Sequence, residues 1–188
     1  MKRDSRTGGN VPKEEYAIIL DVVLDNQRSF KDNEVGQAIG TNSFTLLELV
    51  PKQDVLLKSG EKVYIGDGKR EEIQYIKRSL KPSDLSGSAS AELKETLKEL
   101  IREREEEFVK FFNTAGPITI RKHSLELIPG IGKKYLTTLI DEREEGEFKS
   151  FEDIKKRCSF LGDPVGAVAQ RIIKELDGGE DFRLFTKK

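Results

Sequence analysis

The sequence has one cysteine, one histidine, one methionine and no tryptophan among its 188 residues. A single thiol, Cys158, excludes an internal disulfide and a zinc site built from cysteines. It lies in an apolar-flanked run and reads as a small core residue. The lone histidine, His123, has no Ser or Cys partner motif around it, so a cap or surface role outweighs catalysis. There is no glycine-rich phosphate loop of nucleotide-hydrolase type and no carboxylate spacing suited to a metal. No catalytic residue, cofactor or metal is therefore expected. No apolar run approaches the ~20 residues of a membrane span. The polar start Met1–Asn10 has no apolar core and is not a signal peptide. A cytoplasmic protein without a membrane partner is the expectation.

An excess of charge of one sign is also missing: 33 Lys and Arg stand against 34 Asp and Glu, for a net charge of -1. Any nucleic-acid binding must come from local patches. Charge itself is plentiful, at 36% of residues. This Lys- and Glu-rich composition resembles that of proteins from hot environments, where ion-pair networks are favoured and labile residues avoided.

The composition changes character near Ser83–Ala89, which points to two small domains. Residues 1–13 read as a disordered arm. Tyr16–Leu24 is a β-rich run that fits a buried strand, broken at Asp25-Asn26-Gln27. Val35–Gly40 and Ser43–Val50 read as the second and third strands, the latter ended by Pro51. Glu61–Gly66 reads as a fourth. Asp67-Gly68 is a hairpin signal, from which Lys69–Ser79 returns as the fifth. About five short strands joined by glycine turns predict a small bent barrel over residues 14–82, OB-like, with an SH3-like barrel fitting the same count.

Residues 83–119 hold a polar link, capped at Ser88 or Ser90, and a long amphipathic helix. Its apolar stripe is Leu93, Leu97, Leu100, Ile101, Phe108, Phe111 and Phe112. That predicts one helix of about 22 residues, roughly 33 Å long, ended by Gly116-Pro117. The cluster Glu105-Glu106-Glu107 reads as a solvated face. Lys122–Ile128 reads as a short helix and Lys133–Glu145 as a longer one closed by Gly146. Ser150-Phe151-Glu152-Asp153 resembles a capping box that opens Phe151–Arg157. Asp163 suits an N-cap and Pro164 the first position of a helix to Leu176. In the tail, 178–188, Phe182, Leu184 and Phe185 suggest docking.

The most informative stretch is Pro129-Gly130-Ile131-Gly132-Lys133-Lys134. Two glycines flank one apolar residue, and two lysines open a helix. A helix start carries free amides and partial positive charge, which suits an anion. With two lysines there, that anion is a nucleic-acid phosphate. The hairpin recurs in degenerate form: Gly130 aligns with Gly162, Gly132 with Pro164, Leu136 with Val168 and Ile140 with Ile172. Two units of short helix, turn and longer helix would bury faces that neither buries alone.

Residues 120–177 thus resemble a tandem helix-hairpin-helix domain, whose hairpin reads Pro-Gly-(Ile/Val)-Gly. The resemblance implies contact with a nucleic-acid backbone without sequence preference. The second hairpin departs from the pattern: Pro164 has no N–H to donate, and Asp163 would repel a phosphate. It reads as mainly structural.

The chain over 14–177 also resembles an archaeal family, domain-of-unknown-function family 655. The residues that carry this are Ser59–Gly66, Gly68-Lys69-Arg70, Ile76-Lys77-Arg78, and Asp163-Pro164 with Gln170-Arg171-Ile172. The resemblance implies an OB-like domain joined to helix-hairpin-helix units and a nucleic-acid-binding role, RNA before DNA.

The expected function is non-catalytic binding of RNA or DNA. Gly130, Ile131, Gly132, Lys133 and Lys134 grip the backbone. Lys69, Arg70, Lys77 and Arg78 of the barrel, with Lys81 and the rings of Tyr64 and Tyr75, give auxiliary contact. Residues 1–88 hold 14 basic against 14 acidic residues, so only this cluster favours binding there. One alternative is an adaptor for protein partners in transcription or translation. The other is a nucleic-acid-processing enzyme, since related glycosylases place a catalytic Asp beyond the hairpin, about where Asp153 stands.

Overall fold

A computed structural model of the protein describes residues 14–25 and 34–187. The arm expected over residues 1–13 and the break at Asn26-Gln27 lie outside the described residues. The chain is α+β and divides into two compact units. One runs to Ser90 and takes in the C-terminal residues from Phe185; the other is Ala91–Leu184.

The first unit is a five-stranded sheet of β1 (Tyr16–Leu24), β2 (Glu34–Gly40), β3 (Leu46–Pro51), β4 (Lys62–Tyr64) and β5 (Ile73–Ser79). The strand order is β4-β1-β2-β3-β5, and every pairing is antiparallel. Val63 of β4 and Ile73 of β5 come from opposite ends of that order. They nevertheless share one apolar core with Ala17, Ile19, Ala38, Leu47 and Leu49. Only a curled sheet brings them together, and the result is a half-barrel. Register shifts in β1 between Ile19 and Asp21, and between β3 and β5, help the strands bend.

Two expectations fail here. Asp67-Gly68 does not turn a hairpin, because β4 pairs with β1 and β5 with β3. A turn signal is local, whereas the curl of the sheet decides which strand each edge meets. Ser43 ends a turn and Phe44 follows it ahead of β3, with a left-handed φ of 59°. Its ring is 1% exposed; burying it yields about 2–3 kcal/mol, enough to outweigh the backbone strain. The turn is held by the carboxylate of buried Glu14, which accepts from the amides of Asn42 (2.8 Å), Ser43 (2.9 Å) and Thr45 (3.2 Å).

The helix α1 (Gly87–Glu103) is capped by Ser86, not Ser88 or Ser90. The Ser86 hydroxyl accepts from the Ala89 amide at 3.0 Å and donates to Asp21 of β1. Its amide donates to Gln37 of β2 at 2.8 Å. An earlier serine wins because it alone also satisfies polar groups of the sheet.

The second unit holds the rest of α1, then α2 (Glu105–Thr114), β6 (Pro117–Thr119), β7 (Lys122–His123), a 3-10 turn (Ser124–Leu127), α3 (Lys133–Glu145), α4 (Phe151–Arg157) and α5 (Pro164–Asp177). The single long helix expected from the apolar stripe is broken at Arg104 (φ -112°, ψ 30°). The Arg104 guanidinium forks onto Glu107 at 2.8–3.0 Å. Glu105, Glu106 and Glu107 form the first turn of α2, where negative charge meets the positive end of a helix. The glutamate cluster is thus a start signal. The helix expected over Lys122–Ile128 is a two-residue strand followed by a 3-10 turn. The α4 helix starts at Ser150, whose hydroxyl accepts from the Asp153 amide. Past α5 the tail is docked: Arg171 donates to the Phe182 carbonyl, and Glu175 accepts from the Leu184 amide at 2.7 Å.

Candidate nucleic-acid interface

The hairpin is assembled from its entry side. His123 caps the 3-10 turn, its Nδ1 accepting from the Leu125 amide at 3.1 Å. The Glu126 carboxylate returns to accept from the His123 amide at 2.7 Å. Burial lowers the His123 pKa below 6.5, nearby Arg143 adds to this, and Glu126 opposes it. The neutral ring so favoured keeps Nδ1 an acceptor. Gly130 takes a left-handed φ of 93°, and a Cβ there would stand 3.3 Å from Leu161. Both conditions select glycine. Ile131 is 2% exposed and its amide donates to Ile128 at 3.1 Å, so the residue between the glycines is an anchor.

Gly132 is the N-cap of α3 and has no side chain to cap with. No side chain caps this helix start and no acidic residue sits in its first turn. Lys133 and Lys134 are exposed. Space above Gly132 is open: a Cβ placed there meets nothing within 4 Å. The third residue of α3, Tyr135, stacks on Phe160 of the segment leading to the second hairpin.

The second hairpin is different in kind. The Asp163 carboxylate accepts from the Gly166 amide at 2.9 Å and so caps α5 itself. Pro164 occupies the first helical position. A weak ion pair at 3.9 Å joins Asp163 to Lys98. This helix start is already filled by the protein's own anion.

In the half-barrel, Lys69 and Arg70 lie on an open groove of about 470 Å³ shared with Lys52, Gly66, Asp67 and Gly68. Lys69 is exposed. Arg70 spends its Nε on the Gly66 carbonyl at 2.9 Å, and Lys52 donates to the Arg70 carbonyl. Lys77 is ion-paired with Asp25 at 2.9 Å and Glu48 at 3.3 Å. Its pKa is raised, chiefly by the hydrogen bond to Asp25. Arg78 meets Glu48 at 3.0 Å and Asp84 at 3.6 Å. The Tyr64 hydroxyl accepts from the Gly68 amide, and its ring meets Tyr16 edge-on at 5.4 Å. Tyr75 is 39% exposed.

The five hairpin residues therefore form one continuous element. Lys69 and Arg70 share a groove, while Lys77 and Arg78 have carboxylate neighbours that compete with a phosphate. Lys52 completes the groove, and sequence reasoning missed it because no motif links it to the distant loop. The Asp153 carboxylate accepts from the Lys149 amide at 3.0 Å and faces Arg157 at 3.6 Å. Among the described residues, no cluster of His, Cys, Asp and Glu could hold a metal ion, and no helix is long and apolar enough to cross a membrane.

Comparison with known proteins agrees on one family. The model described as "Protein of unknown function (DUF655)" matches residues 13–187. The uncharacterized protein MJ0038 of Methanocaldococcus jannaschii is 40% identical over 176 residues, which cover 93% of this chain and 80% of that protein. The crystal structure of Af1531 from Archaeoglobus fulgidus superposes with a TM-score of 0.85 at 36% identity, over 93% of this chain and 100% of that one. The chain belongs to the DUF655 family.

Proposed function

We propose that the protein binds nucleic acid, RNA before DNA, without catalysing a reaction on it. Residues 120–177 act as a tandem helix-hairpin-helix domain in which the first hairpin alone grips the backbone. The amides at the start of α3 donate to phosphate oxygens, and Lys133 and Lys134 add charge. Ile131 anchors the loop, and Gly130 and Gly132 let a phosphate approach. The half-barrel serves as an OB-like auxiliary surface. Its five strands, open between β4 and β5, support that reading. Lys69 and Arg70 contribute most there.

The observation that carries the proposal is the contrast between the two helix starts. One is uncapped, beside two exposed lysines; the other is closed by Asp163 and Pro164. A protein that needed only packing would gain stability by capping both.

Filter binding of single- and double-stranded RNA and DNA at two salt concentrations tests it. Log affinity is expected to fall against log salt with a slope of ~0.7–0.9 per phosphate contact. Lys133→Glu with Lys134→Glu is expected to abolish most binding. Unchanged affinity in that double variant, or no binding by the native protein, would sink the reading. Capture of a protein partner that survives nuclease and high salt, with no oligonucleotide binding, would favour an adaptor instead.

A further inference from the structure

The β6–β7 hairpin ends in a loop of two residues, Ile120 and Arg121. Such loops usually carry Gly, Asn or Asp, and a β-branched residue is a poor choice. Neither Ile120 nor Arg121 takes a positive φ. Ile120 has 105% of the reference exposure, the highest among the exposed large apolar side chains. With no positive φ the backbone admits isoleucine, and what is unusual is that a large apolar side chain stands wholly in solvent at the tip. Full exposure of that side chain carries a solvation cost that a contact would recover.

The element is firmly rooted. Pro117 pairs with His123 and Thr119 with Lys122. The Ser124 amide and hydroxyl both donate to the Gly116 carbonyl, at 3.0 and 2.6 Å. Arg143 donates to the Ala115 carbonyl at 2.8 Å. At the tip, the Arg121 amide donates to the Thr119 hydroxyl at 3.3 Å.

Arg121 and Lys122 are exposed beside Ile120, and neither has a carboxylate partner among the described residues. The other exposed large apolar side chain of this unit is Tyr135 on α3, whose ring is already stacked on Phe160. A protein-docking patch needs a contiguous apolar area of several hundred Å². One apolar side chain beside two cations instead has the form of a wedge for a base step, with phosphates to either side.

We propose that Ile120 inserts between neighbouring bases of bound nucleic acid while Arg121 and Lys122 hold the adjacent phosphates. The inference rests on the nucleic-acid reading above, and gives that reading a second, unstacking contact.

The test uses the full chain with 2-aminopurine-labelled RNA and DNA oligonucleotides, single- and double-stranded. Affinity is read by anisotropy and unstacking by 2-aminopurine fluorescence. Native protein is expected to raise the fluorescence on binding. Ile120→Ala, whose side chain touches solvent only, is expected to fold normally, bind about tenfold more weakly and lose the fluorescence rise. A full rise in Ile120→Ala, or binding by the native protein with no rise on any probe, overturns the wedge and leaves the hairpin grip standing. Failure of the native protein to bind any probe overturns both.

Discussion

Tyr135 lies flat on Phe160, the ring centroids 4.3 Å apart and the planes 6° from parallel. The pair ties the first turn of α3 to the segment that opens α5. It fixes where the lysines at 133 and 134 stand relative to the second hairpin, and Leu161 next door presses on Gly130.

Phe160→Ala is expected to cost about 1–2 kcal/mol of stability and to weaken oligonucleotide binding. Phe160→Tyr keeps the stack and is expected to preserve both. Urea unfolding beside an anisotropy titration checks the pair, and equal binding in the alanine variant would show that the stack does not orient the grip.

Gly132 separates stability from binding. Gly132→Asp copies the capped second hairpin. It should stabilise the fold by only about 0.3 kcal/mol through the new cap, because glycine is itself a fair N-cap, while removing phosphate binding. A thermal melt and a binding titration are expected to move in opposite directions. Gly130→Ala, in contrast, should destabilise by about 1–2 kcal/mol, since the left-handed backbone and Leu161 both resist a Cβ.

The His123 pKa is lower in the folded chain than its ordinary value of 6.5. The unfolded state therefore binds more protons in the window below that value, so stability rises with pH there. The contribution of His123 is complete above pH 6.5 and is lost as pH falls through the folded pKa. Protonation also turns Nδ1 from acceptor to donor and removes the cap on the Leu125 amide. His123→Asn keeps a capping oxygen without the titration. Its unfolding free energy is expected to change less between pH 7 and pH 5 than the native protein's, as measured in urea.

Cys158 is fully buried, and burial pushes its thiol up to about 11 from 9.0. At pH 8 the thiolate fraction alone slows disulfide exchange by about a hundredfold. An aromatic disulfide reagent is expected to label the native protein only at the rate of unfolding, and to label it at once in guanidinium. Prompt labelling without denaturant would place the thiol at the surface.

Legibility followed how local each signal was. β1, α3 and α4 match the spans expected from apolar runs and caps: Tyr16–Leu24 is one unbroken β-rich run and Ser150 caps α4, while α3 stops before Gly146, whose backbone is extended rather than left-handed. The stripe from Leu93 to Phe112 was visible but not its break, since an arginine that pairs with a glutamate three residues on looks like any solvated arginine. The β6–β7 hairpin, with strands of three and two residues, is too short to show a period. Asp67-Gly68 misled because pairing across a curled sheet is a long-range choice. At the candidate site, the hairpin residues were readable from their motif. The carboxylates around Lys77 and Arg78 were not, because Asp25, Glu48 and Asp84 reach them only through the fold.

The Glu14 bracket also makes the closing of one turn depend on a residue about thirty positions earlier in the chain. A Cβ at Gly40 would collide with the Glu14 carboxyl, so a side chain there would have to push the carboxylate off the turn. A chain trimmed up to Glu14 keeps its turn at Asn42–Thr45 closed, whereas one trimmed past it leaves three amides to find new acceptors.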